Sequence, residues 1–138
     1  MSVISSLLHP SPNVCRALHA LALLGLACIL VAGAIPGARA EVGAYASGVV
    51  LHGTTYAFLA SLWFLGTGGT PLERALKAML AVALMGAVDE WVQSFFPYRS
   101  GTVSDWLVDV AAATLAATVL ATLATLAPAP RPASAGPH

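Results

Sequence analysis

Four apolar segments, each about 20 residues long and therefore long enough to cross a bilayer, dominate the sequence. Of its 138 residues, 58% are hydrophobic and only 9% are charged, whereas a soluble domain carries roughly a quarter charged residues. We therefore expect an all-α polytopic membrane protein in which four transmembrane helices form a small bundle. The segments cover about residues 17–34, 45–65, 71–95 and 103–126.

Helix-stop and helix-start residues separate these segments. The first ends at Pro36-Gly37, and the second is stopped by Gly66. Thr70-Pro71-Leu72-Glu73 is typical of a capping box with proline at the first helical position, and the helix that it begins must end before Pro97. Thr102-Val103-Ser104-Asp105 is a similar start signal for the fourth segment.

The flanking segments complete the predicted organisation. Residues 1–16 are expected to be a cytoplasmic N-terminal segment, 17–126 the transmembrane domain, and 127–138, rich in proline and alanine, a disordered tail. The sequence Ala38-Arg39-Ala40 leaves a cleaved signal peptide open as an alternative for the first segment. Because the apolar run is longer than a usual signal core, we favour a retained anchor.

The distribution of positive charge predicts the orientation. Successive loops lie on alternate sides of a membrane, and the side with more Lys and Arg faces the cytoplasm, which places both termini there. The larger set is Arg16, Arg74, Lys77 and Arg131, and the smaller set is Arg39 and Arg99.

The formal net charge is zero, so no basic excess favours nucleic acid as a partner. Cys15 and Cys28 form neither a metal-binding nor a disulfide pattern.

Three ionisable residues fall at one depth beneath the outer ends of three predicted helices. At about 1.5 Å of rise per residue, His52 lies roughly 10 Å below its helix end, and Glu90 and Asp109 each lie roughly 9 Å deep. Ionisable groups near hydrocarbon are costly and usually functional. We therefore take His52, Glu90 and Asp109 as candidate catalytic residues at the extracytoplasmic side.

Four further polar residues extend this site into a funnel that opens outward. Gln93 and Asp105 lie one turn shallower, on the same faces as Glu90 and Asp109, and Tyr56 lies one turn deeper than His52. Arg99, in the short loop above, can fold down over the carboxylates. The candidate binding residues are Gln93, Arg99, Asp105 and Tyr56.

Structural interpretations of the same residues remain open. Asp105 can satisfy free N–H groups at a helix start, and His52 can be a neutral residue hydrogen-bonded between helices. Arg99 can extend to the headgroups, and Asp89 is expected to point at water.

An outer aromatic belt comprises Trp91, Phe95, Phe96, Tyr98 and Trp106. The helix-packing surface comprises Thr114, Thr118, Thr122 and Thr125 with nearby alanines.

Two motifs resemble a known family. The stretch Gly86-x-x-Asp89-Glu90-x-x-Gln93-x-Phe95-x-Pro97-x-Arg99-Ser100-x-x-x-x-Asp105, preceded by His52-x-x-x-Tyr56, is similar to the signature of the VanZ-like family over about residues 45–115. These are small bacterial integral membrane proteins, and the founding member is associated with resistance to the glycopeptide antibiotic teicoplanin. The resemblance implies location in the bacterial inner membrane and an envelope-related role.

The sequence departs from the family pattern at two places. Gly48 and Val49 stand where the family often has Asp-Lys, and Asp109 stands where it usually has asparagine. Since aspartate can carry a charge that asparagine cannot, the charge balance of the site can differ from that of the family.

Several activities fit these residues. His52 can serve as general base and Arg99 can clamp a phosphate or carboxylate, which suits an enzyme acting on a lipid-linked envelope substrate. No serine stands in a recognisable nucleophile setting, so a binding protein for a lipid headgroup or a partner helix is the alternative.

One imidazole and two carboxylates also suit several divalent ions. Without a second histidine we predict no metal and no cofactor. Membrane lipids are the expected surroundings, and the inner halves of the helices are too apolar for a proton or ion path.

Overall fold

The computed structural model describes residues 10–99 and 101–127, and all regular structure in these ranges is α-helical. The all-α prediction is therefore confirmed. Residues 1–9 of the predicted N-terminal segment, Ser100 of the motif, and nearly all of the predicted tail lie outside the described residues. The helices are α1 (Pro12–Gly33), α2 (Ala38–Gly43), α3 (Gly48–Gly66), α4 (Pro71–Gln93) and α5 (Val103–Leu126).

Three of the four long helices, α1, α3 and α5, are long and apolar enough to cross a membrane. Helix α4 has 23 residues, which is also long enough, but it carries charged side chains near both ends. Apolar helices of this kind, with many large hydrophobic side chains exposed, indicate a membrane-embedded protein. The charged residues of α4 are Glu73, Arg74, Lys77, Asp89 and Glu90.

The helix starts at α4 and α5 follow the predicted caps. Thr70 Oγ1 accepts from the Glu73 N–H at 3.3 Å, and Glu73 Oε2 accepts from the Thr70 N–H at 3.0 Å, which completes the capping box. Thr102 Oγ1 accepts from the Asp105 N–H at 3.2 Å. Helix α3 begins at Gly48, capped by Ser47, a few residues later than predicted. The short helix α2 is an addition to the prediction, since Pro36-Gly37 in the sequence indicates only the end of the first segment.

The bundle core is built largely from small residues. Helices α3 and α4 both pack along α5, and α1 packs mainly on α3. Ala113 and Ala117 of α5 are fully buried in this contact, and small side chains let helix backbones approach closely. Thr118, Thr122 and Thr125, which were predicted to belong to the packing surface, are instead exposed within this chain.

The end of the bundle where α3 finishes and α4 begins is closed by Arg74. This side chain is only 5% exposed; its Nε–H donates to the Phe64 carbonyl oxygen at 3.1 Å, and its guanidinium lies 4.3 Å above the Phe64 ring. His19 of α1 joins the same end through a 3.1 Å hydrogen bond between its Nε2 and Thr67 Oγ1. The predicted site residues gather at the opposite end, where α3 and α5 begin and α4 ends.

Candidate functional site

A hydrogen bond between His52 and Asp109 joins α3 to α5. The distance from His52 Nδ1 to Asp109 Oδ1 is 2.9 Å, and the Asp109 side chain is 0% exposed whereas the His52 side chain is 11% exposed. Both residues lie in the second turn of their helices, His52 about 6 Å and Asp109 about 9 Å from the first helical residue, so the predicted depth of His52 was too large because α3 begins later than expected. The imidazole is therefore held by a buried carboxylate while one side of its ring remains accessible.

Glu90 completes a compact group with this pair, which we call the His–Glu–Asp cluster (His52, Glu90 and Asp109). One candidate ligand atom from each residue lies within 4.8 Å of the others. Glu90 Oε2 accepts from the Thr102 N–H at 2.6 Å, which fixes the carboxylate against the start of α5. The approach depends on Gly101, since a Cβ atom at that position would overlap the carbonyl oxygen of Glu90.

Two oxygens of this cluster are buried without a hydrogen-bond partner in the protein: Glu90 Oε1 and Asp109 Oδ2. An unsatisfied buried polar atom costs about 1–3 kcal/mol, and more if it is charged. Gly86 of α4 lies directly beside Asp109 Oδ2, and an added Cβ would stand 2.8 Å from that oxygen. The glycine therefore keeps open the space next to the unpaired carboxylate oxygen.

Tyr56 and Asp89 form a second buried pair next to the cluster. The Tyr56 hydroxyl donates to Asp89 Oδ2 at 2.9 Å, and both residues are 1% exposed. The rings of His52 and Tyr56 lie nearly parallel, with an interplanar angle of 12° and centroids 5.9 Å apart. Tyr56 thus lies where it was predicted, on the face of His52 and one turn deeper.

The expectation that Asp89 points at water is wrong. Val82, Met85, Asp89 and Gln93 are all buried positions of α4, and their spacing of three or four residues defines one face of the helix. That face packs toward α3 and α5. The signal was present in the sequence, because Asp89 shares a face with apolar residues a turn or two before it.

A cavity of about 230 Å³ opens beside His52 between α1, α2 and α3. Most of its wall is apolar, whereas its polar wall is formed by His52, Thr55, Tyr56, Asp89 and Arg99. The lining residues are Ile29, Ala32, Gly33, Ala38, Val42, Leu51, His52, Thr55, Tyr56, Asp89 and Arg99. We call it the first cavity.

Arg99 reaches the first cavity from the loop between α4 and α5. Tyr98 fixes this loop to α1, because its hydroxyl donates to the Ala34 carbonyl oxygen at 2.6 Å. The Arg99 guanidinium lies close to Gly33 of α1. Among residues 10–99 and 101–127, no ion pair joins Arg99 to a carboxylate. Arg99 therefore lies on the wall of the first cavity, which Asp89 also lines.

A second cavity, of about 250 Å³, lies on the other side of Glu90 and is bordered by Gly101, Thr102 and Trp106. Trp106 was predicted to belong to the outer aromatic belt, and that prediction needs correction. Its indole N–H donates to the Ala83 carbonyl oxygen at 2.9 Å, so the side chain ties α5 to α4. By contrast, Trp91 and Phe95 are 64% and 66% exposed, as a belt requires.

The remaining predicted binding residues occupy less central positions. Gln93 is 4% exposed on the buried face of α4, one turn beyond Asp89. Asp105 is half-buried in the first turn of α5 and lies outside the His–Glu–Asp cluster. The structure therefore brings together His52, Tyr56, Glu90 and Asp109, adds Asp89, and places Arg99 across the first cavity.

The site can support acid–base chemistry at His52, whose ring is oriented by Asp109. Its nitrogen and carboxylate oxygens are also a donor set that divalent metals accept. Comparison of the chain with protein-family models, with curated proteins and with solved structures gives no match. A function must therefore be argued from the geometry of the site.

Proposed function

We propose that this chain is a VanZ-like protein of the bacterial inner membrane. Its polar site binds an amphiphilic component of the cell envelope and, as an enzyme, also modifies it. The clustering of the motif residues supports the resemblance. His52, Tyr56, Asp89, Glu90 and Arg99, which come from two separate motifs, surround one site.

In this proposal four helices cross the membrane, since α4 joins the three apolar ones. The position of α4 supports this, because it packs along α5 between charged groups at one end and the site at the other. Both termini face the cytoplasm by the positive-inside rule, and the site faces the extracytoplasmic side. An envelope ligand approaching from that side or from the lipid then meets the first cavity.

The first cavity is the single observation that carries the proposed function. Its wall is apolar over most of its area, with His52, Tyr56 and Asp89 among its few polar residues and Arg99 reaching it from the loop between α4 and α5. A ligand with a hydrocarbon chain and a polar headgroup matches this division. Arg99 offers a guanidinium that is not engaged by a carboxylate of the described residues, and guanidinium groups pair well with phosphate or carboxylate headgroups. The family resemblance adds glycopeptide (teicoplanin) resistance as one envelope role to test.

Non-catalytic binding is the second candidate, and one observation favours it. Within the described part of the chain, no serine, threonine or cysteine side chain is hydrogen-bonded to His52, whose bond goes to Asp109. A general base without a nucleophile can still activate water, but it need not. If the protein is an enzyme, His52 is required for conversion of the ligand. If it is a binding protein, the ligand is retained without being converted.

The experiment is to incubate the full chain, purified in detergent, with a radiolabelled isoprenyl phosphate and measure both bound and converted label. We expect Arg99→Gln to lower retention at least tenfold, while Arg16→Gln, an exposed arginine at the far end of α1, retains it. Conversion that is lost in His52→Ala identifies an enzyme, whereas retention without conversion identifies a binding protein. Equal retention by wild type and Arg99→Gln would remove the proposed role of the cavity.

A further inference from the structure

We infer that the His–Glu–Asp cluster binds one divalent transition-metal ion, of which Zn²⁺ and Mn²⁺ fit the donors best. The sequence alone predicted no metal, because it offers a single histidine. The structure adds two observations that the sequence could not supply: the convergence of the three donors and the buried, unpaired oxygens among them.

The spacing of the donors suits a metal ion. Zinc–nitrogen and zinc–oxygen bonds are about 2.0–2.2 Å, so two ligand atoms of one ion lie at most about 4.4 Å apart. The three candidate atoms already lie within 4.8 Å of one another, and His52 Nδ1 is 2.9 Å from Asp109 Oδ1. The donors are therefore already spaced nearly as the ligands of one ion are, and an ion bound at His52 Nδ1 would replace its hydrogen bond to Asp109.

The unpaired oxygens point to what the cluster lacks. Asp109 is 0% exposed, yet its Oδ2 has no hydrogen-bond partner, and Glu90 Oε1 is in the same condition. Neither oxygen is reached by a hydrogen-bond donor of the described residues. A cation bound in the cluster would give such an oxygen a partner and would offset negative charge on the carboxylates.

The surroundings match those of a metal site. The Thr102 N–H holds Glu90 Oε2 in place, as hydrogen bonds to ligating carboxylates do in known metal centres. Gly86 leaves the space beside Asp109 Oδ2 that a Cβ atom would fill. His52 borders the first cavity and Glu90 borders the second, so an ion has a way in from either side.

A bound cation would also offset the negative charge of the carboxylates around the site. Asp89, Glu90 and Asp109 lie close to a cavity that is proposed to accept a headgroup, and an anionic headgroup would be repelled by carboxylates alone. A metal ion at the cluster can bind a phosphate oxygen directly through an open position. This role in ligand binding rests on the proposed function, whereas the binding of the ion itself does not.

The test is a metal measurement on the full chain, purified in detergent with any affinity tag removed. The protein is stripped with a chelator, reloaded with Zn²⁺ or Mn²⁺ alone, desalted, and analysed by inductively coupled plasma mass spectrometry. We expect about one ion per chain, at least tenfold less in Asp109→Asn and Glu90→Gln, and no change in Glu41→Gln, an exposed carboxylate of α2. Size-exclusion elution and helical circular dichroism show which variants fold, and His52→Gln serves if Asp109→Asn does not.

Cobalt substitution provides a second measurement. Co²⁺ bound by nitrogen and carboxylate donors at low coordination number absorbs in the visible range, and we expect this band to be lost in His52→Gln. Substoichiometric metal in wild type, or equal metal in the cluster variants, would overturn the inference. Retention of the isoprenyl phosphate is measured separately, so the metal site can fail while the proposed function stands, and the reverse.

Discussion

Gly86→Ala tests the position of Asp109 directly. The added Cβ would lie 2.8 Å from Asp109 Oδ2 and 3.3 Å from Asp109 Cβ, and ordinary contacts begin near 3.4 Å. The carboxylate is buried and bonded to His52, so it cannot turn away without breaking that bond. Overpacking of this kind costs about 1–3 kcal/mol, and losing a buried charged hydrogen bond adds about 1.5–3 kcal/mol.

Part of this loss is offset, because alanine is favoured over glycine inside a helix by about 1 kcal/mol. The net expectation for Gly86→Ala is therefore a destabilisation of about 1.5–5 kcal/mol. Gly53→Ala in α3 is the matched control, since its Cβ would meet Val108 Cγ1 at 3.9 Å, an ordinary contact. It receives the helix-propensity gain without the clash and should stabilise the protein by about 0.5–1 kcal/mol.

The assay is thermal unfolding in detergent, followed by circular dichroism at one scan rate for all variants. A difference of about 2–6 kcal/mol between the two variants corresponds to a separation in apparent Tm of roughly 6–30 °C for a chain of this size. If Gly86→Ala unfolds at the same temperature as Gly53→Ala, then Asp109 does not lie against α4. The geometry of the His–Glu–Asp cluster would then be wrong.

Three further substitutions test single contacts by the same unfolding measurement. Tyr56→Phe leaves Asp89 buried without its donor and should cost about 1–3 kcal/mol, but much less in an Asp89→Ala background, which has no acceptor at this place; equal losses in both backgrounds would contradict the pairing. Arg74→Met removes the hydrogen bond and the cation–π contact to Phe64 and should cost about 1–3 kcal/mol of stability. Because Arg74 lies at the other end of the bundle, the substitution should leave the metal content unchanged. Trp106→Phe keeps the ring and loses the N–H bond between α5 and α4, so a loss of about 1 kcal/mol is expected; a neutral result would return Trp106 to the outer belt.

Much of the helical framework was predictable because its signals are local. The capping box at Thr70 and Glu73 and the cap at Thr102 depend on residues three apart, and both form as predicted. The level of His52 and Asp109 could also be counted, since a helix rises by a fixed amount per residue. The hydrogen bond between them also needs both side chains to face each other, which the packing of α3 on α5 supplies.

The partners of the other site residues depend on the rotation of each helix about its axis and on the contacts between helices. A count of depth gives neither. Asp89 and Glu90 are neighbours in sequence, but a helix turns by about 100° per residue, so the two carboxylates meet different partners. Asp89 meets Tyr56, and Glu90 meets the Thr102 N–H. The position of Arg99 was not predictable either, because the loop that carries it is fixed by a bond from Tyr98 to a different helix.

The two ends of the bundle show why the cluster calls for a functional explanation. The end around Phe64 is held by apolar packing of Ala75, Ala78 and Ala117, together with Arg74. The other end buries carboxylates beside a histidine and leaves two of their oxygens unpaired. Buried ion pairs contribute little net stability compared with apolar packing of the same volume. If stability alone were needed, the packing used at the first end would serve at the second, and the carboxylates would only weaken the fold. Their presence is accounted for when an ion or a headgroup occupies the site.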